Sequence, residues 1–214
     1  MGSAVIAALF VERGGPYFGR DDVDPWDKER DARLYAGPHP VVAHPPCERW
    51  GRYWSGGPNA NVRRELGDDD GCFAAALAAV RMWGGVLEHP EASHAFKRFG
   101  LGIPGRRDGW LPSFDGHRSF VCAVDQGHFG HPARKATWLY IVTECPVLPA
   151  LPWRPATGRR LDEGFHSTTE RRAARAAGKK PTRRLSHREN VLTPSAFADL
   201  LIGIARTSRL EHYA

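Results

Sequence analysis

Two residues of this chain carry reactive groups where chemistry could use them. Cys47 directly follows Pro45-Pro46, so its thiol stands on a stiff turn at the end of the apolar stretch Val41-Val42-Ala43. A thiolate there is a nucleophile if a local positive field lowers its pKa. Glu88 ends another apolar run, Val86-Leu87, 41 residues after Cys47. A carboxyl beside a thiol suits proton transfer, or a hydrogen bond to a bound ring. Cys72, Cys122 and Cys145 lie in apolar stretches and read as inert packing residues. His44, Cys47, His89 and His94 match no standard zinc spacing, so no metal is expected.

For Cys47 and Glu88 to meet, both must stand at the carboxyl ends of strands in one sheet, where open α/β folds place reactive groups. The pattern predicts those strands. Ala4–Val11 is short, apolar and ended by Glu12-Arg13-Gly14-Gly15. Asp27–Tyr35 has helical character and stops at Gly37-Pro38, and Val41–Ala43 is a second strand. Residues 48–67 show no periodicity and read as a long loop of the kind that serves as a lid. Asp68-Asp69-Asp70 opens a helix with carboxylates at its positive end, and Phe73, Leu77 and Val80 mark its apolar face. Gly84-Gly85 ends that helix before Val86-Leu87. Ser119–Val124 and Ala136–Val142 are two more strands, with a turn at Gly127–Ala133. Thr193-Pro194 starts a last helix whose face is Phe197, Leu200, Leu201 and Ile204. Strands alternating with helices predict an α/β sheet covered on its faces.

At 214 residues, 42% hydrophobic and 25% charged, the chain can hold one sizeable core and is neither collagenous nor wholly disordered. The longest apolar runs are eight residues, so no membrane span is expected. The first residues lack the positive region of a secretory signal. Four scattered cysteines make no disulfide framework, which points to the cytoplasm. The net charge is +6. Between Arg154 and Glu189 eleven Lys or Arg face four acids, a local +7 that leaves −1 for the rest of the chain. Such a segment suits a polyanion such as DNA.

In order and spacing, these residues resemble the DNA (cytosine-5) methyltransferases. That family has a Pro-Cys nucleophile, a mobile loop, a helical stretch, then a strand ending in Glu-Asn-Val; here stand Pro46-Cys47, residues 48–67, Asp68–Met82 and Glu88-His89-Pro90. Residues 124–142 are similar in shape to the family's turn, basic pair and strand, with Arg134 or Thr137 in the basic pair's place. Arg184-Leu185-Ser186-His187-Arg188-Glu189 resembles its Arg-x-Leu-Thr-x-Arg-Glu motif. The resemblance spans most of residues 4–190. It implies a truncated, Rossmann-like methyltransferase-type sheet with helices on both faces and a small basic C-terminal segment. Residues 1–145 would form the catalytic core, 146–190 a DNA-contacting or target-recognition segment, and 191–214 a helix packing back on the core. By the same resemblance Cys47, Glu88 and Arg134 are catalytic, S-adenosylmethionine is the donor and DNA the partner. Cysteine adds to cytosine carbon 6, Glu88 holds ring nitrogen 3, and the base leaves the duplex. Arg49, Arg52 and Trp54 of the loop, with Arg171, Arg172, Arg175, Lys179 and Lys180, would contact DNA.

Departures accompany the likeness. The family's Phe-x-Gly-x-Gly-Gly becomes Phe10-Val11-Glu12-Arg13-Gly14-Gly15, with Glu12 where the first glycine belongs. The expected cofactor contacts are Phe10, Gly14, Gly15, Pro46 and, for the ribose, Asp24, with Asp22 or Asp27 as alternatives. Only 32 residues separate Gly15 from Cys47, so a strand and its acid are expected to be missing. Glu48 replaces the usual Gln, and His89-Pro90 replaces Asn-Val. These departures predict weak or absent S-adenosylmethionine binding. They leave room for another donor, a free nucleotide substrate, or a DNA-binding relative without catalysis.

Overall fold

The computed structural model describes residues 5–56, 64–144, 148–157, 159–160, 168–179, 185–208 and 210. In chain order the elements are β1 (Ile6–Leu9), β2 (Val23–Trp26), β3 (Val41–Ala43), α1 (Cys72–Trp83), β4 (Gly85–Pro90), α2 (His94–Arg98), β5 (Leu111–Ser113) and β6 (Ser119–Asp125). Then follow β7 (Ala133–Arg134), β8 (Ala136–Val142), β9 (Arg159–Arg160), α3 (Thr168–Ala176), α4 (His187–Val191) and α5 (Ser195–Thr207). Seven strands form one mixed open sheet in the order β2-β1-β3-β4-β8-β6-β5, and β7 pairs with β9 apart from it. Strands β1 to β4 are mutually parallel where they pair; β8 runs antiparallel to both β4 and β6. The chain is therefore α/β, as its pattern predicts.

Alternation along the strands assigns the two faces. Leu9, Ala43, Leu87, Val121 and Tyr140 point toward Phe73, Leu77 and Val80 of α1 and Phe96 of α2. Ile6, Val42, Val86, Leu139 and Ile141 point the other way, toward Phe197, Leu201, Ile202 and Ile204 of α5. Each fully buried Val, Leu, Ile or Phe among them contributes about 1.5–3 kcal/mol. Gly85 makes the close join of α1 to β4 possible. Its φ is 121°, and a Cβ there would lie 2.0 Å from the Val41 carbonyl oxygen.

Several expectations need correction. The stretch between Gly15 and Cys47 does hold a strand, β2, parallel to β1 and carrying Asp24. Its Val-Asp-Pro-Trp sequence has no strand pattern, and Pro25 is tolerated because β2 is an edge strand. Within Asp27–Tyr35 only Ala32–Leu34 forms a 3-10 turn, because Asp27 accepts from the Glu29 and Arg30 amides and Asp31 takes a left-handed φ of 46°. The first strand ends at Leu9, where Phe10 turns into the left-handed region at φ 58°. The last helix is N-capped by Pro194, one residue after the expected Thr193. No helix among the described residues is long and apolar enough to cross a membrane.

Candidate active site

Strand β1 lies between β2 and β3, so the chain reverses direction across the sheet beside β1. In open α/β sheets, the crevice at the carboxyl ends of the strands flanking such a reversal is where ligands bind. The end of β1 leads into a turn closed by the Gly15 amide on the Glu12 carbonyl, 3.0 Å. A Cβ at Gly15 would stand 2.9 Å from that oxygen, so glycine is required by the turn itself. Glu12 and Gly14 are exposed, and Phe10 is half-buried.

On the other side of the reversal, His44 follows β3, and its amide donates to the Leu9 carbonyl at 3.0 Å. The register Ala43 to Leu87 sets His44 beside Glu88. His44 Nδ1 meets Glu88 Oε2 at 2.9 Å, and the Tyr17 hydroxyl meets His44 Nε2 at 2.7 Å. Gln126 Nε2 donates to Glu88 Oε1 at 3.0 Å and to Thr137 Oγ1 at 2.9 Å. One hydrogen-bonded chain thus crosses the top of the sheet from Tyr17 to Thr137. Burial works to raise the Glu88 pKa, but the His44 hydrogen bond and charge, followed by the fields of Lys135 and His89, bring it down to about 2. Burial, then the Glu88 charge, holds the Tyr17 phenol well above its ordinary value.

Cys47 begins a tight turn: its carbonyl accepts from the Trp50 amide at 3.0 Å and the Gly51 amide at 2.7 Å. The residue is exposed, yet protein crowds the thiol enough that lost hydration, and then the charge of Glu88, raise its pKa. Lys135 works in the opposite sense. Glu88, the fourth of the six residues of β4, therefore stands just past the end of the parallel neighbour β3, and Cys47 on the turn after β3 is close enough to feel its charge. Cys122 is buried and Cys72 half-buried, while Cys145 lies outside the described residues.

His89 points to the opposite face of the sheet from Glu88. Its ring packs edge-on to Phe73 at 5.1 Å, and its Nδ1 meets the Ser93 hydroxyl at 2.7 Å. Burial pushes its pKa down to about 4, against the pull of Glu88. His89 is a neutral core residue that ties β4 to the N-cap of α2.

Arg134 sits half-buried on β7, and the cation whose field reaches both Cys47 and Glu88 is its neighbour Lys135. Lys135 Nζ donates to the Leu192 carbonyl at 3.1 Å, just past α4. The Leu-Ser-His-Arg-Glu stretch proves to be the start of that helix. Ser186 and Glu189 form a capping box, each side chain bonding the other's amide. A capped helix thereby presents its carbonyl end to the cation at the site.

The loop after Cys47 is rooted in the core rather than free along its length. Trp50 is buried, donates to Asp69 at 2.8 Å and packs against Phe73 and Phe99. Arg52 and Tyr53 are exposed, Trp54 is half-buried, and one terminal nitrogen of Arg49 is buried with no protein partner. Asp24 accepts from Arg30 and from the Trp26 indole; burial opposes, but these bonds hold its carboxyl below the usual range. Pro46 is exposed beside the thiol. Arg172, Arg175 and Lys179 are exposed on α3 and at its end, the side chain of Arg171 is not described, and Lys180 lies outside the described residues. No cluster of His, Cys, Asp or Glu among the described residues could hold a metal ion. An open cleft of about 270 Å³ lined by Glu91, Arg106, Asp125 and Trp153 lies elsewhere and contains neither Cys47 nor Glu88.

Tyr17, His44, Gln126 and Lys135 are the site residues that sequence reasoning missed. For His44 a signal existed: like Glu88, it is the first polar residue after a short apolar run. No family model, curated protein or solved structure matches this chain.

Proposed function

We propose that the protein activates a pyrimidine base of DNA, cytosine in the first instance, by adding Cys47 to ring carbon 6. The observation that carries this reading is the placement of Glu88 on β4 just past the end of its parallel neighbour β3, with Cys47 on the turn that follows β3, beside the reversal of strand order. The resemblance to the DNA (cytosine-5) methyltransferases supplies the roles. Thiolate addition turns the ring into an enamine nucleophilic at carbon 5, while Glu88 serves ring nitrogen 3. Lys135 supports this chemistry more directly than Arg134, since its charge favours the thiolate. A base can reach the crevice only out of the duplex, which Arg52 and Trp54 on the adjoining loop suit. Exposed Arg172, Arg175 and Lys179 suit the phosphates.

The residues around the β1 turn do not fit S-adenosylmethionine. Asp24 already holds two donors, and Glu12 brings a carboxylate to the turn that would have to receive the donor's own. No step is therefore derived through that molecule, and methyl transfer is one of several outcomes at carbon 5.

Incubation with DNA carrying 5-fluorocytosine, with and without S-adenosylmethionine, tests the reading. The fluorine at carbon 5 cannot be eliminated once a group has been added there, so with a donor present, S-adenosylmethionine or one supplied by a cell extract, the wild-type protein gives a stable adduct whose intact mass identifies the transferred group, and without a donor it gives none. Cys47→Ser gives none. Adduct formation by Cys47→Ser overturns the assignment, and a low-micromolar Kd for S-adenosylmethionine by calorimetry restores an ordinary methyltransferase reading.

A further inference from the structure

Glu88 cannot by itself do what this reading asks of it. When a thiolate adds to cytosine carbon 6, the electron pair of the 5,6 double bond moves through carbon 4 onto nitrogen 3, and that nitrogen must take up a proton. The His44 hydrogen bond and charge outweigh burial and hold the Glu88 pKa well below the usual carboxylate range, so at neutral pH Glu88 has no proton of its own to give. The proton has to come from a group behind it, and among the described residues one side chain contacts Glu88 with a nitrogen able to both hold and release one. His44 Nδ1 lies 2.9 Å from Glu88 Oε2, while Gln126, on the other oxygen, has an amide that cannot ionise.

We propose that His44 is the positioning residue of this site, acting through Glu88: it compensates that carboxylate's charge toward Cys47 and supplies the proton that Glu88 passes to the ring. The proton-delivery half rests on the cytosine reading; the charge half does not. As the adduct forms, the S–C6 bond is made, Glu88 protonates nitrogen 3, and the imidazolium gives its Nδ1 proton to Glu88. His44 is left neutral, its remaining N–H on Nε2 donating to the Tyr17 oxygen. Expulsion of the thiolate reverses each transfer, so no oxidant or reductant is needed.

The geometry is built for this. His44 is held at both ring nitrogens, and its own amide is fixed to Leu9, so the ring has no freedom to turn away. Tyr17 is 2% exposed and stays a neutral phenol, a partner that orients the ring without competing for its proton. The charged and titratable groups facing Glu88 are His44 just past β3, Lys135 ahead of β8, Cys47 and Tyr17, and the field of His89 reaches it from the other face of the sheet. Those facing Tyr17 from farther out are Arg20 and Asp199 of α5, which pair with each other. Among the described residues, His44 is the group that contacts Glu88 through a ring nitrogen able to carry a proton.

Two measurements separate the halves. The first is alkylation of Cys47 by iodoacetamide, followed by peptide mass spectrometry in wild type, His44→Asn, Glu88→Gln and the double variant. Asparagine keeps an N–H donor for Glu88 but no charge. His44→Asn should slow alkylation at pH 7.5 on the order of fivefold, and Glu88→Gln should speed it. In the double variant the histidine substitution should have no further effect. Equal effects of His44→Asn with and without Glu88 overturn the proposal, whatever the enzyme does to DNA.

The second is deuterium incorporation at cytosine carbon 5 from heavy water, which reads adduct formation without any donor. His44→Asn should lose about tenfold or more in kcat, with KM for DNA unchanged and the wild-type pH profile flattened. Added imidazole should restore exchange to His44→Gly. Tyr17→Phe, which keeps the ring, should lose about threefold. Unchanged exchange in His44→Asn, or a loss confined to KM, overturns proton delivery. Absence of exchange in the wild type overturns the cytosine reading and proton delivery together, and the alkylation cycle then decides the charge role alone.

Discussion

Glu88 and His89 are consecutive on β4, yet they live in opposite environments, and acid should separate them. His89 titrates at about 4 in the fold against an ordinary 6.5, because burial disfavours its charged form. Between those values the unfolded chain binds the extra proton, so stability falls as pH drops from 6.5 to 4, by about 3 kcal/mol in all. The Glu88 pKa is likewise depressed, from 4.5 to about 2, so its contribution is whole above 4.5 and is lost as pH falls toward 2. Urea midpoints of the wild type should therefore decline in two successive windows. His89→Phe should flatten the upper window and leave the lower; an unchanged slope between pH 6.5 and 4 would show that His89 is not the residue responsible. At this scale the sequence revealed the groups that end strands. Glu88 was legible because the apolar run Val86-Leu87 stops at it, and Cys47 because two prolines hold it on a stiff turn. The joint role of His44, Gln126 and Lys135 was not, because their meeting depends on register. Gln126 and Lys135 come to Glu88 only because β8 enters antiparallel beside β4, and nothing local in the sequence dictates that.

Two joints between elements decide whether that register holds. Gly85→Ala should cost more than about 3 kcal/mol, since its Cβ would collide with the Val41 carbonyl at a φ foreign to other residues. The expected result is protein without a cooperative thermal transition; a Tm within a few degrees of wild type would mean that β4 can shift. Ser186→Ala removes one arm of the capping box at α4 and should cost about 1 kcal/mol. Faster amide exchange confined to residues 187–192 would locate the loss, and slower alkylation of Cys47 would show that the helix end seats Lys135. Elements with strong local chemistry were readable beforehand. Helix α1 begins at Cys72, past the acidic run expected to open it, with Asp69 accepting from the Phe73 amide at 2.8 Å, and β8 spans Ala136–Val142 as its pattern required. Strand β2 escaped notice because an edge strand with a proline and an aspartate is held by pairing with β1, which no window of four residues reveals.

Across the whole molecule, positive charge is concentrated in one stretch of chain, and α3 displays part of it. The helix ends in a left-handed Gly178, with the Lys179 amide on the Ala174 carbonyl and the Gly178 amide on that of Arg175, a Schellman motif that fixes where Lys179 emerges. Neutralising Arg172, Arg175 and Lys179 together should weaken DNA binding and flatten its logarithmic salt dependence by up to about 3 units, at about 0.9 for each phosphate that no longer meets a cation. An unchanged slope would count against α3 as a DNA-contacting surface. The arrangement of the sheet also sets an order in time. Strands β6 and β8 are near neighbours in the chain and can pair early, whereas β1, β3 and β4 must find one another across long crossovers. Their α5-facing side, with Ile6, Val42 and Val86, is closed by a helix that a ribosome delivers long after the strands it covers. Until then the half of the sheet that carries Cys47 and His44 is an open apolar surface. Nascent chains stalled before Ser195 should therefore linger on chaperones, and the thiol should gain its surroundings only when synthesis is nearly done.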